Sequence, residues 1–538
     1  MAVVLPTFST RSRVHAPVPA RVDVAVIGAG LGGLVAAARL ARAGRSVAVF
    51  DGHYVAGGCA TMFVRGPAER RFSFDVGVHY VGDCGPEGRL PTVLRESGVD
   101  VEFRSLDPDG FDELIFPDLR FRVPADRDLF RDRLVAMFPA EKRGIDRYLR
   151  LLREVDHLGR PGAPRGWRQL WDATVHGRLA AVNTAVSAGE FLDSCTRDPK
   201  LRAVLTAQWG NYGVAPGRVS LMMHAGLVNH FLKGAYYPKG GGQVIADGLG
   251  AVIEAAGGTI HLRHLVEKIE VEGGRASGLT VRGPHGEVCR IAADVVVSNA
   301  DYKRTMLELL PDGTVPAPER RKVEDAEMAG AIVLACVGVE GDLGALGMRS
   351  ANYWTFDDYD FDSAAAAARQ GSRAIHGAFL TSATRKDPGT PGHAPAGCET
   401  LEVMGFVAGD ESAWGVAPGA SLGPAYRREA VYAERKAEVE EALLAKAESV
   451  FPGLRSRIVF REAATPLTQN RYTRATDGTS YGLAAIPTQF LGNRPGFRGP
   501  LPGLYLAGAS TRSGHGILGA VASGAQAARA VEKDRRPG

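Results

Sequence analysis

Residues 22–51, VDVAVIGAGLGGLVAAARLARAGRSVAVFD, leave this chain few ways to fold. Val22, Val24, Val26 and Ile27 make a short apolar run, the pattern of a parallel strand covered on both faces. Gly28, Gly30 and Gly33 follow at GxGxxG spacing. The first permits a sharp turn, the second lets backbone approach a pyrophosphate, and the third lets helix and strand pack closely. A helix with Ala37 and Leu40 on its inward face ends at Gly44, and a second strand over 46–50 runs into Asp51. An acid 23 residues after Gly28 stands where a carboxylate bonds a ribose hydroxyl. The unit predicts a bound dinucleotide whose phosphates meet the free N–H groups of the helix start. Its expected contacts are Gly28, Gly30, Leu31, Gly32, Gly33 and Asp51.

A length of 538 residues suits three or four domains, or a discontinuous two-domain enzyme. The net charge of +4 is too balanced to argue for nucleic acid. No apolar run reaches the ~18 residues of a membrane span; the longest, 328–339, is interrupted by glycine and strand-like. The six cysteines form no CxxC pair, which argues against a zinc site or a redox disulfide and makes a reducing cytoplasm the default. No metal is expected. The first 22 residues carry Arg11, Arg13 and Arg21, no acid and no apolar signal core, so 1–20 is expected to be a flexible leader.

Downstream of Asp51, GHYVAGGCATMF and then FSFDVGVHYVG place a second glycine pair, Gly57-Gly58, before a motif containing His79 and Tyr80. Taken with YYPKGGG at 236–242, TPLT at 465–468 and GTSYG at 478–482, this order resembles the polyene-modifying flavoproteins: phytoene desaturases, carotenoid cis–trans isomerases and retinol saturases. GGC and GVHYVG match the saturases best. The resemblance implies FAD, with the double glycine lying along it and the FD-x-G segment near the flavin. It covers both ends of the chain well and the middle poorly.

Between 90 and 234 the pattern is mostly helical, with 141–155 clearly amphipathic. The segment 159–171, GRPGAPRGWRQLW, combines Arg160, Arg165 and Arg168 with Trp167 and Trp171; it reads as a solvated loop before a core helix or as an interfacial patch on anionic lipid. Three short strands, 266–271, 276–281 and 287–291, form a meander, and 293–301 is a separate buried strand. A strand-like block at 331–339 and a helix over 426–450 lie in the less informative middle. At the C-terminus a strand at 501–508, a glycine loop and a helix over 520–531 complete an FAD fold of this type. With no second strand–GxGxxG–helix there is no built-in nicotinamide domain.

The expected fold is α/β: a Rossmann-type FAD-binding domain of the glutathione-reductase and amine-oxidase kind (21–100, 235–305 and 465–538) with an interleaved α+β substrate domain (101–234 and 306–464). Further cofactor contacts are expected at Gly57, Gly58, Val266, Gly508, Gly516, Ile517 and Gly519. Adding hydrogen across a double bond needs a hydride from reduced FAD and a proton from an acid, inside a dry apolar channel. The candidate proton donors are His79, Tyr80 and His515, each with a plain packing role as its competitor; Tyr472 and Tyr481 are weaker, and Cys59, lacking a partner thiol, reads as a packing residue. The expected activity is saturation or desaturation of an apolar polyene such as a carotenoid or retinoid, with an external electron donor or acceptor and a cytoplasmic location, at most peripheral to a membrane. Alternatives are a redox-neutral FAD-dependent isomerase, a non-catalytic FAD-containing polyene carrier, and an amine oxidase, from which FDVGVHYVG and TPLT point away.

Overall fold

The two ends of the chain meet on one strand. Val288–Ser298 pairs along its C-terminal half with Arg21–Ile27 on one side (Val24 opposite Val295) and with Leu504–Leu506 on the other (Val296 opposite Leu504), all parallel. Val47–Asp51 and Thr259–Leu262 extend the parallel sheet beyond Arg21–Ile27. On its N-terminal half Val288–Ser298 pairs antiparallel with Arg275–Arg282, which in turn pairs with Leu265–Glu272. Sequence reading divided this strand into the third meander strand and a separate closing strand. It is continuous because no turn residue interrupts Val288–Ser298, so one eleven-residue strand serves both pairings.

The computed structural model describes residues 17–160 and 167–535; residues 1–16 of the expected leader and the Pro–Gly stretch 161–166, with Arg165, lie outside them. Helix Leu31–Arg42 covers the parallel sheet together with Gly516–Arg535. The two helices touch through glycine: a Cβ on Gly524 would stand 2.1 Å from the Gly32 carbonyl oxygen, so only hydrogen at Gly524 permits this approach. The last helix starts at Gly516, four residues before its expected start, and the helix expected from 426 starts at Ala430 because Ala425–Arg428 forms a 3₁₀ turn first.

A second seven-stranded sheet, in the order Ile458–Ala464, Ala331–Glu340, Cys398–Val407, Gly377–Thr381, Asn352–Phe356, Asp112–Phe116 and Leu119–Val123, stands against the helical region. Its last two strands were not anticipated in the segment read as mostly helical. DELIF buries alternate residues, which is strand periodicity, and Pro117-Asp118 turns the chain back into Leu119–Val123. The period of two on Ala331–Glu340 sorts its side chains: Val333, Ala335, Val337 and Val339 belong to the core beneath helix Ala430–Val450, whereas Ile332, Leu334 and Cys336 face the opposite way, into a large cavity.

Candidate active site

That cavity has a volume of about 1970 Å³ and runs from the glycine turn of the parallel sheet to the second sheet. One end is backbone. Gly28 sits at φ +90°, in the left-handed region its turn requires, and Leu31–Arg42 starts with no side-chain cap and no acid in its first turn. The first N–H groups of that helix are left for an anion. Asp51 is pinned at the end of its strand, its Oδ2 accepting from Ala29 N at 2.6 Å and its Oδ1 from His53 N at 2.7 Å, with lone pairs to spare for a sugar hydroxyl. Gly57, whose N–H donates to the Ala29 carbonyl at 2.7 Å, brings the second glycine pair against the first, and a Cβ on Gly58 would lie 3.1 Å from the Gly30 Cα.

Of the thirteen residues expected to touch the cofactor, all except Gly33 line this cavity; Gly33 lies behind it, where a Cβ would be 2.1 Å from the Gly28 carbonyl oxygen, as its packing role requires. Val266 is buried on Leu265–Glu272, and Gly508, Gly516, Ile517 and Gly519 close the opposite side. An uncapped helix start, a fixed carboxylate and bare backbone on both sides fit the pyrophosphate, ribose and ring system of FAD. Asn299, unremarked in the sequence, completes the cradle: its amide lies where side chains on Gly30 and Gly32 would go, 2.7 Å and 2.5 Å from their would-be Cβ atoms. Its position just past the C-terminal end of a central parallel strand, where such folds bind ligands, was the available signal.

The other end is made of side chains. Ile332, Leu334, Met404, Phe406, Phe356 and Phe379 contribute from the second sheet; Met222, Met223, Leu227 and Phe231 from one face of helix Leu221–Leu232. His79, Tyr80 and His515 all line the cavity and differ sharply in chemistry. His79 Nδ1 donates to Glu402 Oε2 at 3.1 Å and its Nε2 has no partner. Glu402 Oε1 also accepts from Asp75 N at 2.8 Å, and Lys386, driven down to about 8 by burial, bonds the His79 carbonyl oxygen, so the carboxylate that meets the ring and the backbone that carries it are both pinned. Burial, then the charge of Glu402, raises the Asp75 carboxyl. Tyr80 donates its proton to Asp112 Oδ2 at 3.0 Å, and its hydroxyl is pushed far up by burial and by that carboxylate. His515 is 7% exposed with both ring nitrogens unpartnered; burial, then the charge of Arg494, lowers it to about 3, so it is a neutral imidazole. It is not the surface loop residue that was one expectation for it.

The weaker candidates have other occupations. Tyr481 donates to the Gly210 carbonyl at 2.6 Å and meets His515 edge-on at 5.6 Å; Tyr472 accepts from Arg427 at 3.2 Å; Cys59 is bonded by Gln469 at 3.1 Å, its thiol raised by burial. Sequence reading missed Glu402 and Asp112. Glu402 carried a signal, an acid between the apolar Leu401 and Val403 in the middle of strand Cys398–Val407; Asp112 carried none before its strand was recognised.

Known proteins resemble the chain along most of its length. Residues 26–97 match the NAD(P)-binding Rossmann-like domain and residues 416–532 the flavin containing amine oxidoreductases. The all-trans-retinol 13,14-reductase of Homo sapiens is 30% identical over 528 residues, covering 91% of this chain and 82% of that protein. Prolycopene isomerase 1 of an Oncidium hybrid is 27% identical over 535 residues, covering 95% and 84%. An oxidoreductase structure from Methanosarcina mazei superposes with a TM-score of 0.61 at 21% identity, covering 95% and 99%, which speaks to the fold.

Proposed function

The chain belongs to the family of all-trans-retinol 13,14-reductases and prolycopene isomerases, FAD-dependent oxidoreductases of carbon–carbon double bonds, and from that premise we propose that it saturates one double bond of a long apolar polyene of the retinoid or carotenoid kind. The observation that carries this reading is the junction of the glycine cradle with an apolar cavity at His79, which lines the cavity with the Glu402 carboxylate on its Nδ1 and no hydrogen-bond partner on its buried Nε2. Bound in the cradle, FAD supplies hydride chemistry. The chain supplies the rest. Met222, Leu227, Phe231, Leu334 and Phe406 exclude water and hold the polyene by dispersion and burial. Glu402 fixes the His79 tautomer with Nδ1 protonated and stabilises the imidazolium, which carries its second proton on Nε2 for delivery to substrate carbon. Tyr80 and His515 are positioning residues: the phenol proton is committed to Asp112, and a neutral buried imidazole is a poor acid.

The substrate arrives from lipid in this reading. Trp171, Val175 and Val182 are 61%, 53% and 70% exposed on the short helices beside the cavity edge formed by Val155, Leu158, Gly159 and Thr184. Apolar side chains offered to solvent at a cavity mouth suit peripheral contact with a bilayer, and no described helix is long and apolar enough to cross one.

Anaerobic incubation of the FAD-loaded protein with a reductant and a panel of retinoids and carotenoids tests the reading by product mass. A gain of two hydrogens is expected. Unchanged mass with altered double-bond geometry would make the protein an isomerase, and no product from any polyene would make it a carrier.

A further inference from the structure

Two cationic side chains are buried among the described residues, and only one of them has counter-charges. Lys386 is surrounded by Glu402, Asp75 and Asp112, each of which favours its charged form. Arg494, 2% exposed, has no carboxylate within ion-pair reach among the described residues, and burial is what acts on it: it is lowered to about 10, which leaves it charged at neutral pH. Backbone oxygens hold its guanidinium. Nη2 donates to the Leu483 carbonyl at 2.8 Å and to the Ala509 carbonyl at 3.0 Å, Nη1 to the Gln489 carbonyl at 3.4 Å, and Nε has no partner. Carbonyl dipoles solvate a buried charge only in part, so a guanidinium sealed away without an anion is costly.

Its place is behind the C-terminal glycine loop. Gly508, Ala509 and His515 of that loop line the cavity, as does Phe490, whose ring centroid lies 5.8 Å from the Arg494 Cζ. The charge of Arg494 is felt at His515, which meets Tyr481 edge-on, and Tyr481 in turn bonds the Gly210 carbonyl on the side-chain wall. Arg494 therefore stands toward the junction of the two ends of the cavity, whereas the pyrophosphate belongs at the start of Leu31–Arg42.

A buried charge kept without an anion makes sense where an anion forms beside it during function. The cofactor supplies one: a neutral oxidised flavin that takes up two electrons and one proton is left with a single negative charge on its ring, and a cation nearby in a dry interior stabilises that state over the oxidised one. We infer that Arg494 tunes the bound flavin, its uncompensated charge stabilising the reduced anion across the loop 508–516 and making the flavin easier to reduce. It acts through space and touches neither cofactor nor substrate. His515, the histidine of that loop, stays neutral and so does not oppose it. The inference needs FAD in the cradle and is independent of what becomes of the polyene.

Reductive titration of the FAD-loaded protein with dithionite against a reference dye at pH 7 tests this without substrate. Arg494→Met should shift the equilibrium toward oxidised flavin by about tenfold, which for a two-electron couple is a potential about 30 mV more negative. Arg494→Gln keeps an amide donor for the carbonyls but no charge, and should give the same shift even where Arg494→Met folds poorly. Gln489→Leu is the control for lost hydrogen bonds: its side chain ties the same region through the backbone of Glu327 and Ala484 and carries no charge. That variant should melt at a lower temperature with its flavin potential unchanged. An unchanged potential in an FAD-loaded Arg494 variant, or an equal shift in Gln489→Leu, would overturn the assignment. Loss of FAD from both Arg494 variants would mean that the charge holds the cofactor rather than tunes its ring, and would overturn it as well. The saturation reading stands or falls separately, on product mass.

Discussion

The two ends of the cavity are built from different materials. The cofactor end is a surface of backbone: Gly28, Gly30, Gly32, Gly57, Gly58 and Gly508 contribute by having no side chain, and a single carboxylate, Asp51, supplies most of the side-chain chemistry. The substrate end is a surface of side chains, from a mixed, mainly antiparallel sheet and a helix far apart in sequence, with buried polar groups behind it at Glu402 and Asp112. Backbone recognition tolerates no added atoms. Side-chain recognition tolerates exchange of apolar groups but not loss of a buried partner. Damage should therefore be all-or-none at one end and graded at the other.

The largest expected effect is on the backbone end. Gly30→Val places a Cβ 2.7 Å from the Asn299 amide and branches it into the cradle, so the purified protein should lose its flavin entirely, read as the absence of visible absorbance. Stoichiometric FAD in this variant would break the comparison. Next is the junction: His79→Gln should retain FAD and lower kcat by about a hundredfold or more, the scale of a general acid, with Glu402→Gln lowering it less and shifting the pH profile. If His79→Gln turns over normally, the side-chain end does no proton chemistry.

A smaller effect concerns stability. His515 and His230 are both lowered to about 3 and His224 to about 4, in each case chiefly by burial. The native state keeps them neutral, so their contribution is complete above about pH 6.5 and is lost as pH falls toward their folded values, because the unfolded chain takes up protons that the native state refuses. At pH 5 each costs roughly 2 kcal/mol relative to neutral pH. Denaturant melts of His515→Gln should show less acid destabilisation than the wild type by about that amount; identical pH slopes would mean that water reaches this ring. The smallest effect lies at the rim, where Trp171→Glu should weaken binding to anionic lipid vesicles a few-fold with no change in turnover of detergent-solubilised substrate.

The same contrast explains what could be read in advance. GxGxxG, Asp51, Gly57-Gly58 and the C-terminal glycine loop stood out because a backbone surface demands glycine at fixed spacing, and spacing is visible along a line. His79 stood out only through the motif around it. Its partner Glu402 lies 323 residues downstream on a strand whose neighbour in the sheet could not be inferred. The hairpin carrying Asp112 was hidden in a stretch dominated by helical periodicity.

Sequence alone determined the nucleotide unit, the cofactor class, the family likeness and the residues that must stay small, since each depends on local geometry repeated within a few dozen positions. Only the tertiary structure decided which histidine has a carboxylate behind it and which tyrosine has its hydroxyl proton engaged by a buried carboxylate. Those properties come from burial and from partners hundreds of residues apart, and a titratable group acquires its character only when the chain has closed around it.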